Sequence, residues 1–425
     1  MNQSETSYDV IVIGAGIIGI SSALKLQSEG HRVLVLDRNG VAKETSSGNA
    51  GAFAFADIVP LATPGIIRKA PKWLLDPLGP LSIKPAYALK IIPWMLKFWR
   101  ASWQDKYENA ISAQSSLMDL SKEALERQIR AVNGEALMRR EGQLQLYEGE
   151  AEFKASLPGW KTRMEYGVTC ELLESPAEIA KIQPGIDPRF THAGYTPEWM
   201  NTTDPEAWTH HLYQHFIDQG GCYENASIHQ LTAEGDSVNL LIESDNATSG
   251  KQYQARRVVV AAGAWSKTLA ASLGDNIPLE TERGYNTTLP SGGFELNTHV
   301  TFSNHGFVVS KIGDRIRVGG AVELGGLQLK PNYQRAQVLL DKAARFIPGL
   351  GTEGGKQWMG FRPSMPDSLP VVSYASATDK VIYAFGHGHL GLTQSAGTAE
   401  LVCALVNGDK PAIPVAPFSA KRFGS

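Results

Sequence analysis

Residues 9–37 begin Asp9-Val-Ile-Val-Ile-Gly-Ala-Gly-Ile-Ile-Gly19 and close on Arg32-Val-Leu-Val-Leu-Asp37. The apolar run before Gly14 predicts a buried strand, the stretch after Gly19 a helix, and residues 32–37 a second strand ending on an acid. Each part has its own job around a dinucleotide. Gly14 permits a tight turn, Gly16 has no Cβ to keep a pyrophosphate from the amides of the helix N-terminus, and Gly19 lets helix and strand pack closely. Asp37 stands where a carboxylate accepts ribose hydroxyls, and its charge disfavours the 2′-phosphate of NADP. A glycine turn alone recurs for structural reasons. Strand, helix, second strand and acid together predict a bound dinucleotide, NAD or FAD.

Outward from this unit, Glu44-Thr-Ser-Ser-Gly-Asn-Ala-Gly51 is a loop of small residues whose backbone can touch a ligand closely. At 425 residues the chain can hold two or three core-bearing units, and 43% hydrophobic with 20% charged residues is ordinary for a globular protein. A net charge of −3 and the lack of a basic stripe argue against nucleic acid as a partner. Cys170, Cys222 and Cys403 lie far apart, which argues against a disulfide framework and for a reducing, cytoplasmic setting. Met1–Ser7 shows neither a basic region nor an apolar run, so no secretory signal is expected, and no apolar stretch reaches bilayer-spanning length.

Further ligand-facing pieces appear in the middle and at the end. Arg257-Val-Val-Val-Ala-Ala-Gly-Ala-Trp-Ser266 reads as a buried strand ending on small residues, against which a cofactor can lie. Gly386-His-Gly-His-Leu-Gly391 turns from a strand into a helix, where free amides and the helix dipole would stabilise the charge of a reduced flavin. A strand-to-helix turn with surface histidines is the plainer reading. Arg362, in Gly-Phe-Arg-Pro, has the guanidinium fork that grips a carboxylate through two hydrogen bonds; pairing with Asp367 is the structural alternative. Arg283, Tyr285 and His389 are candidates for the same pocket.

Other features read more plainly. His211 and His215 have zinc-ligand spacing on a helix capped by Asp204, but no third ligand is evident, so a polar helix face is expected and no metal. Prolines between Pro60 and Pro93, including Pro71, Pro77 and Pro80, predict no long regular element there. The apolar, aromatic and basic run Ala88–Trp103 suits a helix lying in a membrane interface or one packed on a second domain.

Together these residues resemble the D-amino acid oxidase superfamily of FAD enzymes, in its bacterial D-amino acid dehydrogenase and glycine/sarcosine oxidase branch. The resemblance runs nearly end to end, through Gly14–Gly19, Thr45–Gly51, Val260–Trp265, Gly360–Pro363 and Gly386–Leu392. It implies an α/β fold: a Rossmann-like FAD-binding domain (1–60, 193–275 and 350–425) interleaved with an α+β substrate domain (61–192 and 276–349) containing a mixed or antiparallel sheet. Expected cofactor contacts are Gly14, Gly16, Ile17, Ile18 and Gly19, then Asp37 and Arg38. The small-residue loop adds Thr45, Ser46, Ser47, Asn49, Ala50 and Gly51, and the central strand end Ala262, Gly263 and Trp265. The late motifs add Arg362, Gly388, His389, Leu390, Gly391, Leu392 and Thr393.

Arg362 matches the arginine that binds the substrate carboxylate in the family. The resemblance implies hydride transfer from Cα of a D-amino acid to flavin N5, with electrons passed to a membrane quinone or other acceptor from a peripheral position on the cytoplasmic membrane. A hydroxylated D-proline suits the Arg283, Tyr285 and His389 positions, where the chain departs from many dehydrogenases. Sarcosine or glycine oxidation with oxygen, 2-hydroxy acid oxidation and a non-catalytic FAD module remain compatible with the same motifs.

Overall fold

The structure is a computed structural model and describes residues 8–66, 81–242, 252–290 and 292–424. Tyr8–Ile13 lies between two parallel neighbours, Val33–Asp37 and Gln252–Val260. Cys222–Asn225 extends the sheet in parallel on one side, and Thr378–Phe385 runs parallel to the C-terminal half of Gln252–Val260. Antiparallel strands complete eight in all. Side chains alternate between two cores: Val10 and Val12 pack with the helices, while Ile11 and Ile13 face the opposite layer. A sheet buried on both faces is why the strands read as unbroken apolar runs. Helix Ile17–Ser28 packs on this sheet beside helix Gly391–Asn407, through Ile20, Leu24, Leu401 and Leu405.

A second, nine-stranded sheet is mostly antiparallel. Lys356–Ser364, Glu280–Leu289, Arg315–Leu324 and Phe307–Ile312 lie in that order, and helix Gln334–Phe346 covers one face through Leu339, Leu340, Ala343 and Phe346. The α/β class with a Rossmann-like and a mixed sheet is therefore as the sequence predicts. One segment divides differently. The sequence places residues 350–425 whole in the nucleotide unit, yet Lys356–Ser364 pairs with Glu280–Leu289 in the second sheet. The chain crosses between the sheets right after Arg362, which places Arg362 at their junction.

Pro71, Pro77 and Pro80 lie outside the described residues. Beyond them, Leu81–Ile83 and a single turn at Pro85–Tyr87 lead into helix Ala88–Ala101, which runs through Pro93. That proline removes the bond to the Leu89 carbonyl, and Leu89 is 83% exposed, so water can serve the acceptor. Ile91 and Trp94 pack on Leu324, whereas Leu89, Ile92, Leu96, Trp99 and Trp103 are exposed. Among the described residues no helix is long and apolar enough to cross a membrane.

Candidate active site

The glycine turn is held by contacts that only glycine allows. Gly14 has φ +111°, and a Cβ there would fall 2.4 Å from the Ala261 carbonyl oxygen; a Cβ on Gly19 would fall 1.8 Å from the Gly14 oxygen. Asp37 pins the turn from below. Its Oδ2 accepts from the Ala15 N–H at 2.8 Å, and its Oδ1 from the Asn39 and Gly40 N–H groups at 2.8 and 2.9 Å. Asp37 is thus a structural clamp as well as a cavity residue, a role that ribose binding alone does not describe. Arg38 stacks over Trp265 at 4.1 Å. Ser46 Oγ accepts from the Ile17 N–H at 3.0 Å, bringing the small-residue loop onto the helix start.

One cavity runs along these groups, lined also by Ile18, Thr45, Asn49, Ala262, Gly263 and, at its far end, Gly388, Gly391 and Leu392. Ser47, Gly51 and Thr393 line neither this cavity nor the one beyond it. Ser47 donates to the Glu44 carbonyl, Gly51 bonds Asn49 and Thr202, and Thr393 Oγ1 accepts from the Ala54 N–H at 2.9 Å. The polar groups of these three are taken up within the loop and turn, which they shape. Gly19 also packs rather than lines.

A second cavity of about 430 Å³ shares Thr45, Asn49 and Gly388 with the first, so the two adjoin. Ala50, Leu390, His389 and Arg362 line it. Arg362 Nη1 donates to the Ala321 carbonyl at 3.0 Å, and among the described residues the guanidinium makes no ion pair. Asp367, the alternative partner, instead pairs with Arg422 at 2.7 Å. Burial lowers the Arg362 pKa from its ordinary value, and Glu282 opposes that shift. His389 Nε2 lies 3.0 Å from Asp57 Oδ2, with Arg163 3.6 Å from the same carboxylate. Burial pushes Asp57 up, but His389 and Arg163 outweigh it and hold its carboxyl below the usual range.

Arg283 does not line this cavity, and Tyr285 borders it with its hydroxyl turned to Glu323. Strand Glu280–Leu289 alternates: Glu282, Gly284 and Asn286 face the cavity, while Arg283 and Tyr285 meet Glu323 on the other side. Arg283 is fully buried and donates to the carbonyls of Gly326 and Leu329. The Tyr285 hydroxyl donates to Glu323 and accepts from the Asn332 N–H, and burial pushes its pKa up to about 12. Arg283 is thus committed to backbone carbonyls and Glu323, while Tyr285 borders the cavity with its hydroxyl held by Glu323 and Asn332.

Sequence reading missed several cavity residues. Arg317, buried with its pKa lowered to about 10, donates to the carbonyls of Ser47 and Asn49 and fixes the small-residue loop. Trp358 fills the space left by Gly48 and Gly360, where a Cβ would fall 2.2 and 1.9 Å from its ring. Trp199, His299 and Asn286 line the same cavity, and Trp199 Nε1, His299 Nδ1 and Asn286 Oδ1 are buried without a hydrogen-bond partner among the described residues. Such orphaned groups mark where a ligand's polar atoms belong. Period-two reading of 280–289 could have found Glu282 and Asn286; the others come from distant strands and carry no local signal.

A dinucleotide cradle that opens into a charged pocket between two sheets defines a nucleotide-dependent oxidoreductase. Comparison with known proteins makes this specific: residues 9–405 match the family described as FAD dependent oxidoreductase, DAO, and the chain belongs to that family. It is similar to a D-amino-acid oxidase of Bradyrhizobium diazoefficiens, 36% identical with 97% of this chain and 98% of that protein covered. It also resembles a D-amino acid dehydrogenase of Rhizobium rhizogenes, 31% identical with 98% and 100% covered. Among solved structures, glycine oxidase from Geobacillus kaustophilus shares the fold with a TM-score of 0.73 at 22% identity, over 98% of this chain and 99% of that one.

FAD is the cofactor, and the residues fit it. Helices Ile17–Ser28 and Gly391–Asn407 both begin at the cavity with no acidic residue in the first turn. Two unopposed positive helix ends suit a pyrophosphate at one and an electron-rich ring at the other. The orphaned polar atoms lie in the cavity beyond the second helix end.

Proposed function

We propose that the protein oxidises D-amino acids held by their carboxylate on Arg362, and delivers the electrons to an acceptor at a membrane surface. The observation that carries this reading is Arg362 itself: a guanidinium that lines the cavity, oriented by the Ala321 carbonyl and, among the described residues, without a carboxylate at ion-pair distance. Leaving a cation unpaired in a half-buried pocket is costly unless a ligand anion completes it. The names borne by the curated relatives, D-amino-acid oxidase and D-amino acid dehydrogenase, support an amino acid as that anion.

FAD, when bound, takes up the Cα hydrogen and its electron pair. The chain's part is placement. Arg362 fixes the carboxylate, Gly284 leaves room for the guanidinium, and Arg317 holds the loop 45–51 against the cofactor cavity. Fixing the reacting atoms is the main contribution expected of the protein in such a step. The imine formed is hydrolysed by water to a keto acid, or is cyclic for a substrate such as D-proline. His389 beside Asp57 is the polar group that a hydroxylated D-proline can meet.

For the acceptor, the exposed row Leu89, Ile92, Leu96 and Trp99 on a helix carrying Lys90, Lys97 and Arg100 supports docking at a membrane interface, where quinone is available. The test is an anaerobic screen of D- and L-amino acids, sarcosine and hydroxy acids, read by bleaching of the flavin absorbance. D-amino acids should bleach it, L-isomers should not, and a dye or quinone should reoxidise it faster than oxygen. Bleaching by sarcosine with rapid peroxide release would favour an amine oxidase.

A further inference from the structure

Glu282 is the residue in this cavity whose presence the carboxylate site does not explain. It is 6% exposed, lines the cavity, and forms no ion pair among the described residues. Its strand partner is Arg362: the two are directly paired between Glu280–Leu289 and Lys356–Ser364. Paired residues on one face of an antiparallel ladder hold their Cβ atoms about 5 Å apart. The cavity thus presents an anion and a cation side by side, neither neutralised by the other at ion-pair distance. An α-amino acid presents the complementary pair, a carboxylate and an amine on one carbon.

We propose that Glu282 is a catalytic residue that receives the substrate's α-amino group, hydrogen-bonding it and taking the proton that must leave before the Cα hydrogen can depart. This rests on the reading of Arg362 as the carboxylate site and deepens it. In the step, an N–H bond of the ammonium breaks and an O–H bond forms on the Glu282 carboxylate. The Cα hydrogen then leaves with its electron pair for FAD, and the freed nitrogen lone pair closes the C=N bond. The proton on Glu282 is released to water as product departs.

The surroundings suit a proton acceptor. Burial raises the Glu282 pKa above its ordinary value, against the opposing influence of Arg362, His389 and the Ser364 hydroxyl. A raised pKa brings a carboxylate nearer to the basicity that general-base work needs. Asp57, which lines the same cavity, is held low by His389 and Arg163, so the pKa values of the two acids are moved in opposite directions. A 2-hydroxy acid offers Glu282 no ammonium, so the same pair selects amines over alcohols.

The test uses the FAD-loaded enzyme and its E282Q and E282D variants. Turnover of D-alanine, D-leucine and D-lysine is measured, together with binding of propanoate, the alanine skeleton without its amine, through the flavin spectrum. E282Q should lower kcat/KM for all three amino acids by a factor on the order of 10² or more, leave propanoate binding undiminished, and be partly rescued by E282D. E282Q with wild-type kcat/KM overturns the role. So does a loss confined to D-lysine, which would assign Glu282 to a side-chain amine, or a parallel loss of propanoate binding, which would make it a support for Arg362. If E282Q fails to hold FAD, E282D carries the test: full activity with its shortened side chain overturns the role, and intermediate activity sustains it. Wild-type enzyme that oxidises none of the D-amino acids overturns instead the reading of the site on which this rests.

Discussion

Gly284 and Arg362 occupy one spot on the second sheet: a Cβ built on Gly284 would lie 2.5 Å from Arg362 Nη2 and 2.6 Å from its Cζ. The backbone of Gly284 is not in the left-handed region, so what an added methyl meets first is the guanidinium, not backbone strain. Gly284→Ala should therefore fold and bind FAD, yet push the guanidinium aside. A displacement near 1 Å at a positioning group costs roughly 10²-fold in rate. Steady-state kinetics on a D-amino acid should show that loss with flavin content unchanged. An unaltered kcat/KM would mean that Arg362 does not position the substrate from this place.

Asp37 should matter before any cofactor arrives. It holds three backbone N–H groups of the turns around Gly14 and Gly40. Charge-assisted bonds of this kind contribute about 1.5–3 kcal/mol each. Asp37→Ala should lower the urea midpoint of the FAD-free protein, and Asp37→Asn, which keeps one acceptor, should lower it less. If the apoprotein is unaffected and only FAD affinity falls, the carboxylate serves the ribose alone.

Acid should destabilise the protein through two buried histidines. Burial lowers the pKa of His387 to about 3 and of His299 to about 4. An unfolded chain titrates near 6.5, so as pH falls below that value the unfolded state gains protons that the native state refuses. The stability is fully present above about 6.5 and lost downward from there, at about 1.4 kcal/mol per pH unit for each histidine. Urea midpoints at pH 7.5 and 5.5 should differ clearly for the wild type. The His299→Gln/His387→Gln variant should lose much of that difference.

The amphipathic helix gives a separable prediction. Replacing Leu89, Ile92, Leu96 and Trp99 with serine alters only exposed positions, so fold and dye-linked turnover should persist. Co-sedimentation with vesicles containing anionic lipid should be lost. Trp94 is a poor probe, because it is buried and stacks on Phe98 at 5.3 Å. Wild-type protein that never sediments with vesicles would leave this face without a membrane role.

The dinucleotide cradle was legible because its signals are local: a strand, a glycine turn and a helix lie within thirty residues, although the contact that requires Gly14 comes from Ala261. Arg362 was legible as a motif, and its freedom from Asp367 was not, since the competing Arg422 lies far along the chain. The motif around Arg283 and Tyr285 points to the pocket, which Tyr285 borders and Arg283 does not, whereas the two-residue alternation of the strand adds Glu282 and Asn286. Arg317 and Trp358 reach the cavity only because distant strands pair across the second sheet, which no local pattern records.

The most direct measurement of the account's centre is ligand binding by Arg362→Lys and Arg362→Ala enzyme loaded with FAD. Propanoate and a D-amino acid would be titrated anaerobically against the flavin spectrum, followed by the rate of bleaching. If Arg362 is the carboxylate clamp, both variants keep FAD, propanoate binding weakens by a factor on the order of 10² or more, and lysine fails to restore it because it lacks the paired donors. Binding and bleaching at wild-type values in Arg362→Ala would contradict that assignment.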